Sequence, residues 1–135
     1  MAGNAIPSSP TLSRLRSICL SLPEAVEQET WEAPTFRVRN KIFAMLHQVE
    51  SRPSVWCKAP KGVQGALVVT NPRRFFVPPY VGHNGWVGIR LDHAIDWDEL
   101  EDIVTESYCM TAPKRLATLV SLSERSFSKS EPTQD

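Results

Sequence analysis

Leu12, Leu15, Ile18, Cys19 and Leu22 recur three and four residues apart, with Arg14, Arg16 and Ser17 between them. This spacing predicts an amphipathic helix whose apolar stripe is core. Ser9 is placed to cap it, Pro10 to take its first position and Pro23 to end it. Beyond Val26 the period changes. Thr35-Phe36-Arg37-Val38-Arg39 alternates strictly, with Phe36 and Val38 on one face and the arginines on the other. Asn40 marks a turn, and Lys41 to Leu46 runs back as a strand that is apolar on both faces, hence interior to a sheet. Residues 54–59 read as a third strand, with Trp56 and Lys58 on one face and Val55 and Cys57 on the other.

A short helix is expected within 61–70 and is stopped by Asn71-Pro72. Gly62 and Gly65 each weaken it by about 1 kcal/mol against alanine. Residues 73–80 read as extended, with Pro78 and Pro79 marking an edge or an irregular crossing. Asn84-Gly85 predicts a tight hairpin into a strand from Trp86 to Leu91. Asp96 with Glu99 is a capping pair for a helix whose stripe is Trp97, Leu100, Ile103, Val104 and Tyr108. A last short helix starts near Pro113 and uses Leu116, Leu119 and Val120. Helices bracket strands that connect mostly by hairpins, so the predicted class is α+β, an antiparallel sheet packed against helices.

Composition adds bounds. The chain has 135 residues, 41% apolar and 22% charged, which suits one domain. Residues 1–9 read as a flexible lead, 10–120 as the domain and the Ser-rich 121–135 as a disordered tail. No apolar run reaches membrane-spanning length and no signal-peptide hydrophobic region is visible. Cys19, Cys57 and Cys109 are odd in number and form no CxxC pair, which points to reduced thiols and a cytoplasmic setting.

Charge changes the picture more. The chain is neutral overall, but residues 34–90 carry nine Lys and Arg side chains against Glu50 alone. Residues 91–112 carry seven acids and no Lys or Arg. One reading is a basic surface for a polyanion; the other is an acidic segment folded across the basic one.

No phosphate loop, dinucleotide fingerprint or nucleophile elbow is present, so no enzyme, cofactor or metal is expected. His47, His83 and His93 sit at no metal-ligand spacing, and the acids near Asp96 read as a helix cap. By alternation Arg37, Arg39, Trp56, Lys58, Trp86 and Arg90 share the less apolar sides of their strands. Interleaving of that kind is used by sheets that stack bases while tracking phosphates. The plainer expectation for Trp56 and Trp86 is burial under a helix.

The segments Pro34-Thr35-Phe36-Arg37-Val38, Lys41-Ile42-Phe43-Ala44, Pro79-Tyr80-Val81-Gly82 with Gly85-Trp86-Val87, and Ser107-Tyr108 before Pro113-Lys114 resemble the MmcQ/YjbR family. The resemblance runs from about residue 11 to 120. It implies a double-wing, distantly frataxin-like two-layer sandwich, with DNA binding as the associated activity and no catalytic residues. Two departures stand out: Arg39-Asn40 where many members have Gly-Gly, and His83 where many have Lys. The expected function is a monomeric, non-enzymatic nucleic-acid-binding domain of low sequence specificity. Its phosphate contacts would come from Arg37, Arg39, Lys41, Lys58, Arg73, Arg74, His83 and Arg90. The alternative is a small-molecule or protein-binding module with a cleft lined by Tyr80, Trp86 and Tyr108.

Overall fold

The structure is a computed structural model that describes residues 10–30, 33–49, 52–92 and 94–120. The Ser9 cap, the 1–9 lead, the 121–135 tail and His93 therefore lie outside the described residues. The chain runs α1 (Pro10–Leu20), β1 (Val26–Thr30), β2 (Ala33–Val38), β3 (Lys41–Val49), β4 (Arg52–Cys57), α2 (Val63–Thr70), β5 (Phe75–Phe76), β6 (Val87–Arg90) and α3 (Trp97–Thr111). A final helix, α4, covers 114–120. The strands form one antiparallel sheet in the order β1-β2-β3-β4-β6-β5.

The helices form where the apolar period predicts them. In α1 the buried residues are Leu12, Leu15 and Cys19, one stripe of the helix. In α3 the Asp96 Oδ1 accepts a hydrogen bond from the Glu99 amide at 3.1 Å, as the capping pair requires. Leu100, Val104 and Tyr108 then point into the core. The Tyr108 ring meets Phe43 edge-on at 5.4 Å, and its hydroxyl donates to the Pro23 carbonyl at 2.6 Å. That bond ties α3 to the turn after α1. Burial pushes the Tyr108 hydroxyl pKa above its usual value.

The β2–β3 hairpin turns on Arg39 and Asn40, with φ of 51° and 68°. Two left-handed residues in succession are what a two-residue hairpin with the natural strand twist requires. A register shift follows: Phe36 pairs with Ala44 and Arg37 with Ile42, leaving Phe43 as an extra residue on β3. Phe43 and Ala44 both therefore join the main core, while Ile42 and Met45 belong to the cluster on the opposite face. The run that reads as apolar on both faces is the interior strand it was expected to be.

Two expectations fail. Val26–Thr30 is a strand that the sequence pattern does not announce, because it is an exposed edge with no apolar alternation. Asn84-Gly85 is not a tight hairpin. Gly82–Asn84 forms one 3-10 turn, which Gly85 closes at φ 91°. β5 and β6 do pair antiparallel, but residues 77–86 connect them as a long loop. The Gln64 side-chain amide of α2 holds that loop, donating to the carbonyls of Gly82 (2.8 Å) and Trp86 (2.6 Å). The extended stretch 73–80 accordingly shrinks to the two residues of β5 before Pro78 and Pro79.

The main core lies between the sheet and the helices. Leu12, Leu15, Leu100, Val104, Leu116 and Val120 meet Phe36, Leu46, Val55, Val87 and Ile89 there. α2 adds Val63, Leu67 and Val68 from the β5 side. The smaller cluster, Met45, Trp56 and Trp86 with Ile42, Phe76 and Val81, contains no helical residue. The chain is thus an α+β fold with helices on one face of the sheet and a second face that no described helix covers.

Candidate functional site on the helix-free face

Strand pairing fixes which side chains share the helix-free face. Thr35, Met45, Trp56, Gly88 and Phe76 form one row across β2, β3, β4, β6 and β5. His47, Ser54 and Arg90 form the next row. Trp56 is 3% exposed, yet no helix lies over it. The His47 imidazole lies flat on its ring, centroids 4.0 Å apart and planes at 15°. The Trp56 Nε1 donates to the Ser54 Oγ at 3.0 Å, and the Ser54 hydroxyl donates to the His47 carbonyl at 3.1 Å. Both tryptophans are buried as expected, but Trp56 lies beneath His47 and Trp86 clusters with Met45 and Trp56 rather than under a helix. Burial lowers the His47 pKa from its ordinary value.

Beside this stack the Phe76 ring crosses β6 over Gly88. A Cβ at Gly88 would stand 2.3 Å from the Phe76 Cζ, so only glycine leaves room for the ring. The Arg90 guanidinium covers Phe76 at 4.6 Å from its centroid. Its Nη1 is buried and has no hydrogen-bond partner. Arg37 lies along β2, its Nε donating to the Thr35 Oγ1 (3.2 Å) and its Nη2 to the Thr30 Oγ1 (2.9 Å). Hydroxyls fix that guanidinium without neutralising it.

Acids are placed elsewhere. Glu27 and Glu29 of β1 are the acidic residues among the described strand residues. They pair with Phe36 and Pro34, and Glu27 meets Arg16 of α1 at 3.0 Å on the helix side. Asp98, Glu101, Asp102 and Glu106 are exposed on α3, which packs on that same side. The exposed acids of α3 therefore lie on the side of the sheet opposite Arg37 and Arg90, while Asp92 and Glu99 of the acidic segment pair with Arg52 and Arg74 of the basic one.

The eight basic-site candidates do not form one patch. Arg37 and Arg90 share the helix-free face. Arg39, at the hairpin tip, is held by Glu24 at 2.7 Å, and Arg115 approaches the same carboxylate at 3.6 Å. The Arg39 hydrogen bond holds the Glu24 carboxyl below the usual carboxylate range, and the carboxylate in turn raises the arginine pKa. Arg74 is ion-paired with Glu99 of α3. Arg73 and His83 are exposed on turns, and Lys41, exposed at the start of β3, pairs with Val38 and so stands on the helix side. Lys58 is half-buried between two clefts, one shared with Asp102 and Glu106 and the other with Asn84, Trp86 and Met110. Arg52, on β4, meets Asp92 at 2.7 Å.

The aromatic cleft is not assembled. Tyr108 is fully buried in the main core, Tyr80 is 87% exposed and Trp86 belongs to the second cluster. The cause is the Tyr108 hydroxyl bond to Pro23, which commits that ring to the α1–α3 junction. His47 and Phe76 are the residues that sequence reasoning missed. Their signal was present in the alternation of His47 with Met45, but it becomes legible only once β3 is paired with β4. Among the described residues, no group of three His, Cys, Asp or Glu is placed to hold a metal ion. No described helix is long and apolar enough to cross a membrane. Cys19, Cys57 and Cys109 are not in disulfides, and burial pushes the Cys57 thiol up to about 12.

No curated protein matches the chain. The fold is similar to the crystal structure of Deinococcus radiodurans protein DR2400, which carries the family-model domain DUF419. The TM-score is 0.65 at 20% identity, over 73% of this chain and 76% of that one. The YjbR family model matches residues 20–110, from the end of α1 to the end of α3. That span holds the whole sheet, including the face that no described helix covers, and by it the chain belongs to the YjbR family.

Proposed function

We propose that the protein is a non-enzymatic nucleic-acid-binding domain that meets phosphates on the helix-free face of its sheet. The observation that carries this reading is the separation of charge: Arg37 and Arg90 stand on a face where the described strand residues present no carboxylate. Arg37 and Arg90 are not ion-paired among the described residues. Arg73 adds charge from an exposed turn. The hairpin tip is a weaker candidate than the family resemblance implies, because Glu24 already occupies Arg39. Arg74 is discounted for the same reason. Contacts of this kind position a backbone and carry no sequence information.

Three phosphate contacts, from Arg37, Arg73 and Arg90, imply a log–log salt slope of roughly −2 to −3. Raising salt fourfold then weakens binding on the order of a few tens of fold. Fluorescence anisotropy with two unrelated oligonucleotides over a range of salt tests this. Similar affinities and that slope are the expected result. Absence of binding to either at the lowest salt would overturn the reading.

A further inference from the structure

Resting on the nucleic-acid reading above, we propose that the helix-free face selects single-stranded nucleic acid by stacking bases on two flat plates. One plate is the His47 imidazole backed by Trp56; the other is the Arg90 guanidinium backed by Phe76.

Both plates are built in the same way. A flat polar group lies on an aromatic ring, at 4.0 Å for His47 on Trp56 and 4.6 Å for Arg90 on Phe76. Each backing ring is held by the sheet. Trp56 is fixed by its bond to Ser54, and Phe76 lies in the space that Gly88 leaves open. Each outer group is half-buried, with one face against its ring. The two stand in one row with Ser54 between them, so about two strand spacings, roughly 10 Å, separate them. Ser54 is fully buried and bonded on both sides.

The occupant follows from chemistry. Planar faces accept planar, unpaired rings, which a duplex keeps inside its stack and a single strand exposes. The same face carries Arg37 beside the plates and no strand carboxylate, which suits the backbone of that strand. Neither plate distinguishes one base from another, so recognition is for the unstacked state.

The test compares three fluorescent oligonucleotides of equal length on the folded, full chain: a single strand, its duplex, and a single strand with abasic sites at its centre. The single strand should bind at least tenfold tighter than the duplex. Each abasic site should cost about five- to a hundredfold where it faces a plate. Arg90→Lys keeps the charge and removes the plane. It should weaken single-strand binding about tenfold with the salt slope unchanged. If that variant does not fold, the abasic series on the unaltered protein decides alone. Equal binding of intact and abasic strands would overturn the stacking proposal while leaving the phosphate reading standing. Loss of all binding at low salt would overturn both.

Discussion

The His47 ring has one face on Trp56 and pays for that contact in protonation. Burial lowers its pKa in the folded chain, so the imidazolium form is disfavoured there relative to the unfolded chain. The sign follows from linkage. Well above the unfolded value of about 6.5 both states are neutral and His47 contributes no pH dependence. As pH falls through that value the unfolded chain takes up the proton first, and stability is lost until the lower folded pKa is passed. His47→Gln should therefore flatten the fall in Tm between roughly pH 7 and pH 5. Thermal melts of both proteins across that interval check it; parallel curves would show that the ring titrates without reference to folding. The neighbouring Ser54 has no such lever, since its hydroxyl is already satisfied on both sides.

At the level of elements, two glycines, one in a strand and one in a helix, should respond oppositely to the same methyl group. A Cβ at Gly88 of β6 meets the Phe76 ring at 2.3 Å, and both belong to a packed strand pair. Gly88→Ala should cost about 1–3 kcal/mol through overpacking and lower Tm by several degrees. A Cβ at Gly65 of α2 meets nothing within 4 Å, so Gly65→Ala should stabilise by about 0.5–1 kcal/mol through helix propensity. Chemical denaturation of the two variants checks both signs. The elements also show what a one-dimensional reading can reach. α1, α3 and the β2–β3 hairpin were legible because their apolar periods are local. β1 was not, because an exposed edge strand such as VEQET needs no apolar partner face. Asn84-Gly85 misled because the turn it makes is decided by Gln64, twenty residues earlier, and by the burial of Trp86. The bulge at Phe43 left no mark on the sequence beyond a run that is apolar throughout.

On the scale of the whole molecule the sheet works as a partition. Its helix side carries the core and, on the outside of α3, the acids; its other side carries Arg37, Arg90 and the aromatic plates. The segregation of charge along the chain was plain in the sequence, but its arrangement in space was not. Whether a given arginine is neutralised depends on partners such as Glu24 for Arg39 and Glu99 for Arg74, which only the fold brings together. The aromatic cleft failed for the same reason, since Tyr108 belongs to a helix whose inner face is core. The measurement that bears most directly on the account is amide chemical-shift mapping of the labelled protein during titration with a single-stranded oligonucleotide at low salt. The account predicts that the largest shifts fall on Thr35, Arg37, His47, Ser54, Trp56, Phe76 and Arg90, with α1 and α3 unmoved. Shifts concentrated on the helices, or at the Arg39-Asn40 tip with the sheet face silent, would contradict it.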